Sequence, residues 1–170
     1  MKNIFIVGAH PGGNKGAEAM LEVVLGKLSI NLAPNEQVNI FVESLGSEDA
    51  YSIFKRRCGM HFEYFKFTPK NLLFPYDVVV NKGDVVIDIG GINYHDRSLR
   101  ANIRSLVRHA FFIIRGAKLV FFTQDHGPCH RISSKIISRF VYSHASQVFM
   151  RSELSFKYLS DLCASVNIQG

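Results

Sequence analysis

The chain opens with Lys2-Asn-Ile-Phe-Ile-Val7, continues with Gly8-Ala-His-Pro-Gly-Gly-Asn-Lys-Gly16 and then enters Ala17-Glu-Ala-Met-Leu21. The β-prone apolar run, the loop with four glycines and the helix-forming run predict a strand, a turn and a helix N-terminus. In this geometry backbone N–H groups face an anion. The loop fits neither G-x-G-x-x-G nor G-x-x-x-x-G-K-S/T. Two interpretations stay open: a seat for an anion or a sugar, or a turn that needs glycine only for positive φ angles.

The alternation of strand and helix continues along the whole chain. It predicts strands at 37–43, 62–67, 84–89, 118–123 and 147–150, a last strand starting near 165, and helices at 46–54, 98–115, 132–142 and 152–162. The continuous apolar strand at 84–89 is typical of a parallel sheet that is buried on both faces. The sequence therefore predicts an α/β fold, with a Rossmann-like parallel sheet flanked by helices, in one domain over residues 1–170.

Apolar residues spaced three or four apart predict the buried faces of two helices. The helix at 98–115 is expected to bury Leu99, Ile103, Leu106, Ala110 and Ile113. The helix at 132–142 is expected to bury Ile132, Ile136, Ile137 and Phe140. A stripe of arginines on the other side of the first of these helices comprises Arg97, Arg100, Arg104 and Arg108. We interpret this stripe either as a solvated basic face or as a contact for acidic lipid head groups or a phosphorylated acceptor.

Charge and cysteine content limit the partners and the compartment. The net charge of +6 favours anionic partners, but no nucleic-acid-binding motif accompanies it, so nucleic acid is disfavoured. Cys58, Cys129 and Cys163 are far apart and odd in number, which argues against a disulfide framework or a structural zinc site and favours a reducing cytoplasm. No apolar run approaches the ~20 residues that span a bilayer, so we expect a soluble protein, at most peripherally attached to a membrane.

Three loops that follow predicted strands carry polar residues and glycines, at 8–16, 90–96 and 124–131. Because ligands of open parallel sheets bind at the carboxyl ends of the strands, we expect these loops to form one crevice. In the second loop, Gly90 and Gly91 would allow a ligand to approach the backbone, and Asn93 and His95 supply polar groups. Asp96 is a candidate general base or acceptor of a sugar hydroxyl, with an N-cap for the following helix as the alternative.

The third loop contains a pair of histidines around a cysteine. His126 and His130 bracket Cys129, which suggests a metal site, but Pro128 prevents a regular helical turn and no fourth ligand is evident. We therefore favour a polar loop at the crevice, with Arg131 either an anion contact or a surface residue.

Four different segments form an ordered set of motifs. They are Asn14-Lys-Gly-Ala-Glu-Ala-Met-Leu21, Asp84-Val-Val-Ile-Asp-Ile-Gly-Gly-Ile-Asn-Tyr-His-Asp96, Gln124-Asp-His-Gly-Pro128 and Met150-Arg-Ser-Glu-Leu-Ser155. In order and spacing they resemble the polysaccharide pyruvyl transferase family. Its members commonly show an N-x-G-D/A-E-A helix start, a D-x-V/I-I-x-x-G-G-x-x-x-x-D strand end, a Q-x-x-G-P loop and an R-D/E/S-x-x-S segment. Ala17 stands where many members have Asp, and Ile92 where many have a third Gly.

The resemblance implies that residues 1–170 are the N-terminal half of an enzyme with two Rossmann-like domains, arranged as in glycosyltransferases of the B type. The second domain would be absent from this chain, which we expect to be inactive alone. Members transfer the pyruvyl group of phosphoenolpyruvate, as donor substrate and without a cofactor, to a sugar of a cell-surface polysaccharide. The acceptor would be a saccharide, free or lipid-linked, met in the cytoplasm or at the inner face of the membrane. The alternatives are a glycosyltransferase that uses a nucleotide sugar and a non-catalytic module that binds an anionic glycan.

The resemblance also suggests roles for individual residues. Asp96 would orient the acceptor hydroxyl, Glu18 would support the first loop, and Arg131 or Arg151 would attract anions. The other residues expected to bind substrate are Gly12, Gly13, Asn14, Gly16, Gly90, Gly91, Asn93, His95, Gln124, His126 and Gly127.

Overall fold

The computed structural model describes residues 2–8, 11, 14–32, 37–44, 48–59, 61–67, 76–96, 98–163 and 166–169. Within these ranges seven parallel strands form one sheet, and five helices flank it. The strands are β1 (Lys2–Val7), β2 (Val38–Ser44), β3 (Glu63–Lys66), β4 (Val85–Asp88), β5 (Lys118–Gln124), β6 (Ala145–Met150) and β7 (Ile168–Gln169). The helices are α1 (Lys15–Asn31), α2 (Glu48–Cys58), α3 (Leu99–Ile114), α4 (Ile132–Ser143) and α5 (Glu153–Leu162). The predicted α/β fold with a parallel sheet is confirmed, and α2 is longer than expected.

The strand order is β3-β2-β1-β4-β5-β6-β7, so the sheet grows in opposite directions from the β1–β4 pair. Side chains of β1 alternate between two cores, as the pleat of a strand requires. Ile4 and Ile6 join the core under α1 and α2, whereas Phe5 and Val7 join the core under α3, α4 and α5. The reversal of strand order beside β1 is the position at which open α/β sheets bind ligands.

The predicted buried faces of α3 and α4 are only partly correct: Leu106, Ile113 and Ile137 pack against the core, but other predicted residues do not. Leu99 and Ile103 are 44% and 46% exposed, and on α4 Ile132, Ile136 and Phe140 are exposed as well. Apart from Val141, the fully buried positions of the two helices are polar or aromatic: Asn102, His109, Phe111, Phe112, Ser134, Ser138 and Tyr142. Hydrophobic periodicity failed because hydrogen-bonded polar groups occupy the inner faces of both helices.

The predicted arginine stripe is also interrupted. The side chain of Arg108 is only 12% exposed, and its Nε lies 3.4 Å from Oε1 of the fully buried Glu43. Arg108 therefore belongs to the interior, while Arg100 and Arg104 are exposed and Arg97 lies outside the described residues. Among the helices that the structure describes, none has the length and apolarity to cross a bilayer.

Candidate functional site

The carboxyl ends of β1 and β4 meet at Gly8 and Gly90. Gly8 has a φ of +85°, and a Cβ placed on it would lie 2.6 Å from the nitrogen of Gly90 and 2.7 Å from Oδ1 of Asp88. Both the backbone angle and the close approach require glycine at this position. The N–H of Gly8 donates to Oε2 of Glu43 at 2.9 Å. The carboxylate of Glu43 therefore holds the start of the first loop against β2.

Asp88, the last residue of β4, is the centre of a fully buried polar network. Its Oδ1 accepts from the N–H of Gly90 at 2.7 Å, and its Oδ2 accepts from Nδ2 of Asn93 at 3.0 Å. Oδ2 also lies 2.6 Å from Nε2 of His109, whose Nδ1 is 2.6 Å from the hydroxyl of Tyr94. Burial raises the pKa of Asp88, but hydrogen bonding and charge attraction from His109 outweigh it, so its pKa is lowered. The charged carboxylate thus shapes the loop that follows β4.

Gln124, at the end of β5, joins this network to the third loop. Its Oε1 accepts from Nδ2 of Asn93 at 2.9 Å, and its Nε2 donates to the main-chain oxygen of Asp88 at 3.2 Å. The N–H of Asp125 donates to the oxygen of Gly91 at 2.8 Å. The second and third loops are therefore hydrogen-bonded to each other, as their expected convergence requires.

Asp125 connects the third loop to the start of α5. Its carboxylate accepts from Nη2 of Arg151, from Oγ of Ser152 at 3.1 Å and from Oγ of Ser155 at 3.0 Å. Ser155 in turn accepts from the N–H of His126 at 3.1 Å. Burial raises the pKa of Asp125, but the hydrogen bonds from Arg151 and the two serines lower it on balance. Arg151 is thus paired with Asp125. The R-x-x-x-S spacing allows Arg151 and Ser155 to donate to the same carboxylate.

Asp96 caps a helix, although not the one that follows it. Its carboxylate accepts from the backbone N–H groups of His130 and Arg131, at the N-terminus of α4, and interacts with the side chain of Ser134. The hydrogen bond from His130 is the main cause of the lowered pKa of Asp96. Ser98 caps α3 instead. A lowered pKa makes Asp96 a weaker base, and a catalytic role for it stays a prediction.

An open pocket of about 540 Å³ lies between the second and third loops, within the size range of small-ligand sites. Its lining consists of Ile92, His95, Asp96, Gly127, Pro128 and His130. A Cβ on Gly127 would lie 3.4 Å from Cβ of His95, which shows how closely the two walls approach. We call this pocket the crevice.

The remaining predicted site residues are placed differently. Asn14 caps α1, and its Oδ1 accepts from the N–H of Gly16 at 2.9 Å. Glu18 accepts from Nη2 of Arg57 at 2.7 Å, so this carboxylate links α1 to α2. Gly91 is exposed, with open space around it, and the side chain of Arg131 is also exposed. Gly12 and Gly13 lie outside the described residues.

His126 is almost fully buried and lies at the edge of a second pocket, of about 330 Å³, between α4 and α5. Burial lowers its pKa to about 4, so the imidazole is neutral near pH 7. Its Nε2 is 4.0 Å from Sγ of Cys129. Over the described ranges, no three His, Cys, Asp or Glu side chains are arranged to hold a metal ion.

Several residues of the site were not singled out from the sequence: Asn102, Asp125 and Ser155, and also Glu43, Tyr94 and His109 of the buried network. Asn102 donates from Nδ2 to the oxygen of His95 at 2.9 Å and to Oγ of Ser134 at 3.2 Å, so it joins the second loop to α4. Asp125 and Ser155 lie in two of the segments that carry the resemblance, 124–128 and 150–155, and that position was the available signal. Asn102 lies among apolar residues of α3, and nothing in its spacing indicated a partner.

Comparison of the chain with protein-family models, with curated proteins and with solved structures finds no match.

Proposed function

We propose that the crevice binds a saccharide and that the protein takes part in transfer of a pyruvyl group from phosphoenolpyruvate to that saccharide. The supporting observation is that three of the four segments that carry the resemblance, 84–96, 124–128 and 150–155, are hydrogen-bonded to one another beside the crevice. Asn93 contacts Gln124, and Asp125 contacts Arg151 and Ser155. Residues that are distant in sequence thus meet at one edge of the sheet, beside the crevice.

The reaction sets clear demands on the site. A sugar hydroxyl loses a proton and adds to C2 of phosphoenolpyruvate, and the methylene carbon gains a proton. A second hydroxyl then closes a ketal as phosphate leaves. Asp96 still has lone pairs free, since a carboxylate offers about four acceptor positions, and it would orient the acceptor hydroxyl. His95 and His130 also line the crevice, and in this proposal they would exchange protons with the substrates there.

The donor would need cations for its carboxylate and phosphate. Within the described residues, Arg151 is paired with Asp125, and Arg108 is buried beside Glu43. Arg131 is exposed next to the crevice. We propose that further donor contacts come from a second Rossmann-like domain, in the two-domain arrangement of B-type glycosyltransferases, and that the protein works in the cytoplasm.

One observation favours a second candidate, a non-catalytic module that binds an anionic glycan. The carboxylate of Asp96 is held by two backbone N–H groups and has a lowered pKa, which suits a structural cap better than a general base. In that case the crevice would recognise the saccharide without transforming it.

Phosphate release distinguishes the two candidates. The longer protein, which includes the proposed second domain, is incubated with phosphoenolpyruvate and a panel of cell-surface oligosaccharides, and saccharide binding is measured in parallel by calorimetry. Pyruvyl transfer predicts saccharide-dependent phosphate release that His95→Gln reduces at least tenfold. Binding without phosphate release indicates the glycan-binding module, and no saccharide binding at millimolar concentrations contradicts both. Ser29→Ala, on the exposed side of α1, is the matched control.

A further inference from the structure

The basic residues of this protein are concentrated in one part of the chain. From residue 97 to residue 152 the sequence contains ten of its 20 Lys and Arg residues but a single acidic residue, Asp125, of its 14. Helices α3 and α4 contain no Asp or Glu, whereas α1, α2 and α5 each contain at least two. Because α3 and α4 pack side by side against the same face of the sheet, the outer surface of this helix pair is strongly cationic.

The outer faces of α3 and α4 are also apolar. Leu99 and Ile103 are four residues apart on α3, so they lie on the same side of that helix. The same spacing places Ile132, Ile136 and Phe140 on one side of α4. Ile132 is 76% exposed and Ile136 is 63% exposed, although both are large aliphatic residues. We call these five residues the α3–α4 apolar stripe. Large apolar side chains exposed at helical spacing on two neighbouring helices indicate a surface that meets another apolar phase.

Basic side chains flank the apolar stripe on both sides. Residues on a helix are about 100° apart, so Arg100 and Arg104 lie one step round α3 from the stripe, on the side away from Asn102 and α4. Lys135 and Arg139 line the pocket between α4 and α5, on the opposite border. All four side chains are exposed, and none forms an ion pair with a residue that the structure describes. An acidic group, Asp161 of α5, lines the same pocket.

We propose that the α3–α4 apolar stripe and its four flanking cations dock the protein onto an anionic lipid bilayer. Aliphatic side chains would enter the interface, while Lys and Arg would contact acidic head groups. A second copy of the chain is a poor occupant, because a two-fold interface would place the cations of one copy against those of the other. Single-stranded nucleic acid would require aromatic stacking, and four of the five stripe residues are aliphatic.

Docking through this face has a geometric consequence. Both α3 and α4 begin beside the crevice, because Asp96 lines it. Asp96 lies two residues before Ser98, the cap of α3, and its carboxylate binds the N-terminus of α4. The mouth of the crevice would then lie near the lipid surface. This inference does not depend on the proposed chemistry, because vesicle binding is measured without any saccharide.

Co-sedimentation of the 170-residue chain with vesicles tests the proposal. Vesicles of phosphatidylcholine with 30% phosphatidylglycerol are compared with phosphatidylcholine alone at low salt, where about 30 mol% of anionic lipid gives a strong surface potential. The double variant Lys135→Gln/Arg139→Gln should bind about 30-fold more weakly, the effect of two surface charges. Ile132→Ser/Ile136→Ser should bind roughly tenfold more weakly through lost apolar insertion. Neither change removes a buried group, so thermal unfolding should be unaltered.

Matched controls use the other face of the sheet. Lys27→Gln/Arg56→Gln removes the same charge from α1 and α2, and Val23→Ser/Ile30→Ser removes two exposed aliphatic residues from α1. Both controls should bind anionic vesicles like the parent protein. No binding to anionic vesicles, equal binding by all four variants, or a dimer that Ile132→Ser/Ile136→Ser dissociates would each overturn the proposal.

Discussion

Replacing Asp88 with asparagine perturbs the buried network most directly. Oδ2 of Asp88 faces two nitrogen donors, Nε2 of His109 at 2.6 Å and Nδ2 of Asn93 at 3.0 Å. An amide would keep the acceptor for Gly90 but would turn a third N–H group toward these two donors. Each buried polar group left without a partner costs about 1–3 kcal/mol, and the variant also loses a buried charge that Arg108 and His109 stabilise.

We therefore expect Asp88→Asn to lower the free energy of unfolding by about 3 kcal/mol and the melting temperature by ~6–12 °C. Urea unfolding at pH 7, followed by circular dichroism, measures this change. Asp49→Asn, at an exposed position of α2, is the control and should cost less than about 1 kcal/mol. A loss below about 1 kcal/mol for Asp88→Asn would refute the reasoning, since it would mean that His109 changes tautomer and accepts from the new amide.

The pH dependence of stability checks the same network. The pKa of Asp88 is lower in the folded protein than in the unfolded chain, so the folded state binds the proton less readily. This contribution to stability is complete above the unfolded pKa, near 3.9, and is lost as pH falls through the folded value. The difference in stability between the parent protein and Asp88→Asn should therefore narrow below about pH 4.

Three further predictions concern single positions. Gly8→Ala should destabilise the protein by at least ~2 kcal/mol in urea unfolding, because its φ is positive and its Cβ would approach Gly90, whereas Gly91→Ala, with open space around it, should be neutral within about 0.5 kcal/mol. His126 is neutral when folded, so stability should fall by about 1.4 kcal/mol per unit as pH drops from 6.5 toward 4, and His126→Gln should flatten that slope. Thr123, a β-branched residue with a φ of 53°, is strained, and Thr123→Gly should be neutral or should stabilise by up to ~1 kcal/mol in thermal unfolding.

The order of strands and helices could be predicted because each apolar run has a period that matches its element. The carboxyl ends of β4 and β5 could also be predicted to lie at one edge of the sheet, because parallel strands all run in the same direction. The orientation of α3 could not be predicted, because Asn102 and His109 are buried by partners on other elements, Ser134 and Asp88. The sequence around Asn102 or His109 does not indicate which distant residue will be its hydrogen-bond partner.

Buried ion pairs between two different elements could not be predicted for the same reason. Glu43 lies on β2 and Arg108 on α3, and their separation in sequence concealed an ion pair that removes Arg108 from the predicted surface stripe. One of the two interpretations of Asp96 was a cap for the next helix. Its carboxylate instead accepts from backbone N–H groups at the N-terminus of α4. A capping residue is recognisable from sequence, but the helix that it caps depends on the tertiary fold.

The central claim is that the crevice between the second and third loops binds a saccharide. Its most direct test is a titration of the ¹⁵N-labelled protein with a glucuronic-acid-containing disaccharide, followed by amide chemical shifts. The account predicts saturable shifts that centre on Gly91, His95, Gly127 and His130. Shifts confined to other surfaces, such as the pocket around Tyr158, or no saturable shifts at all, would contradict it.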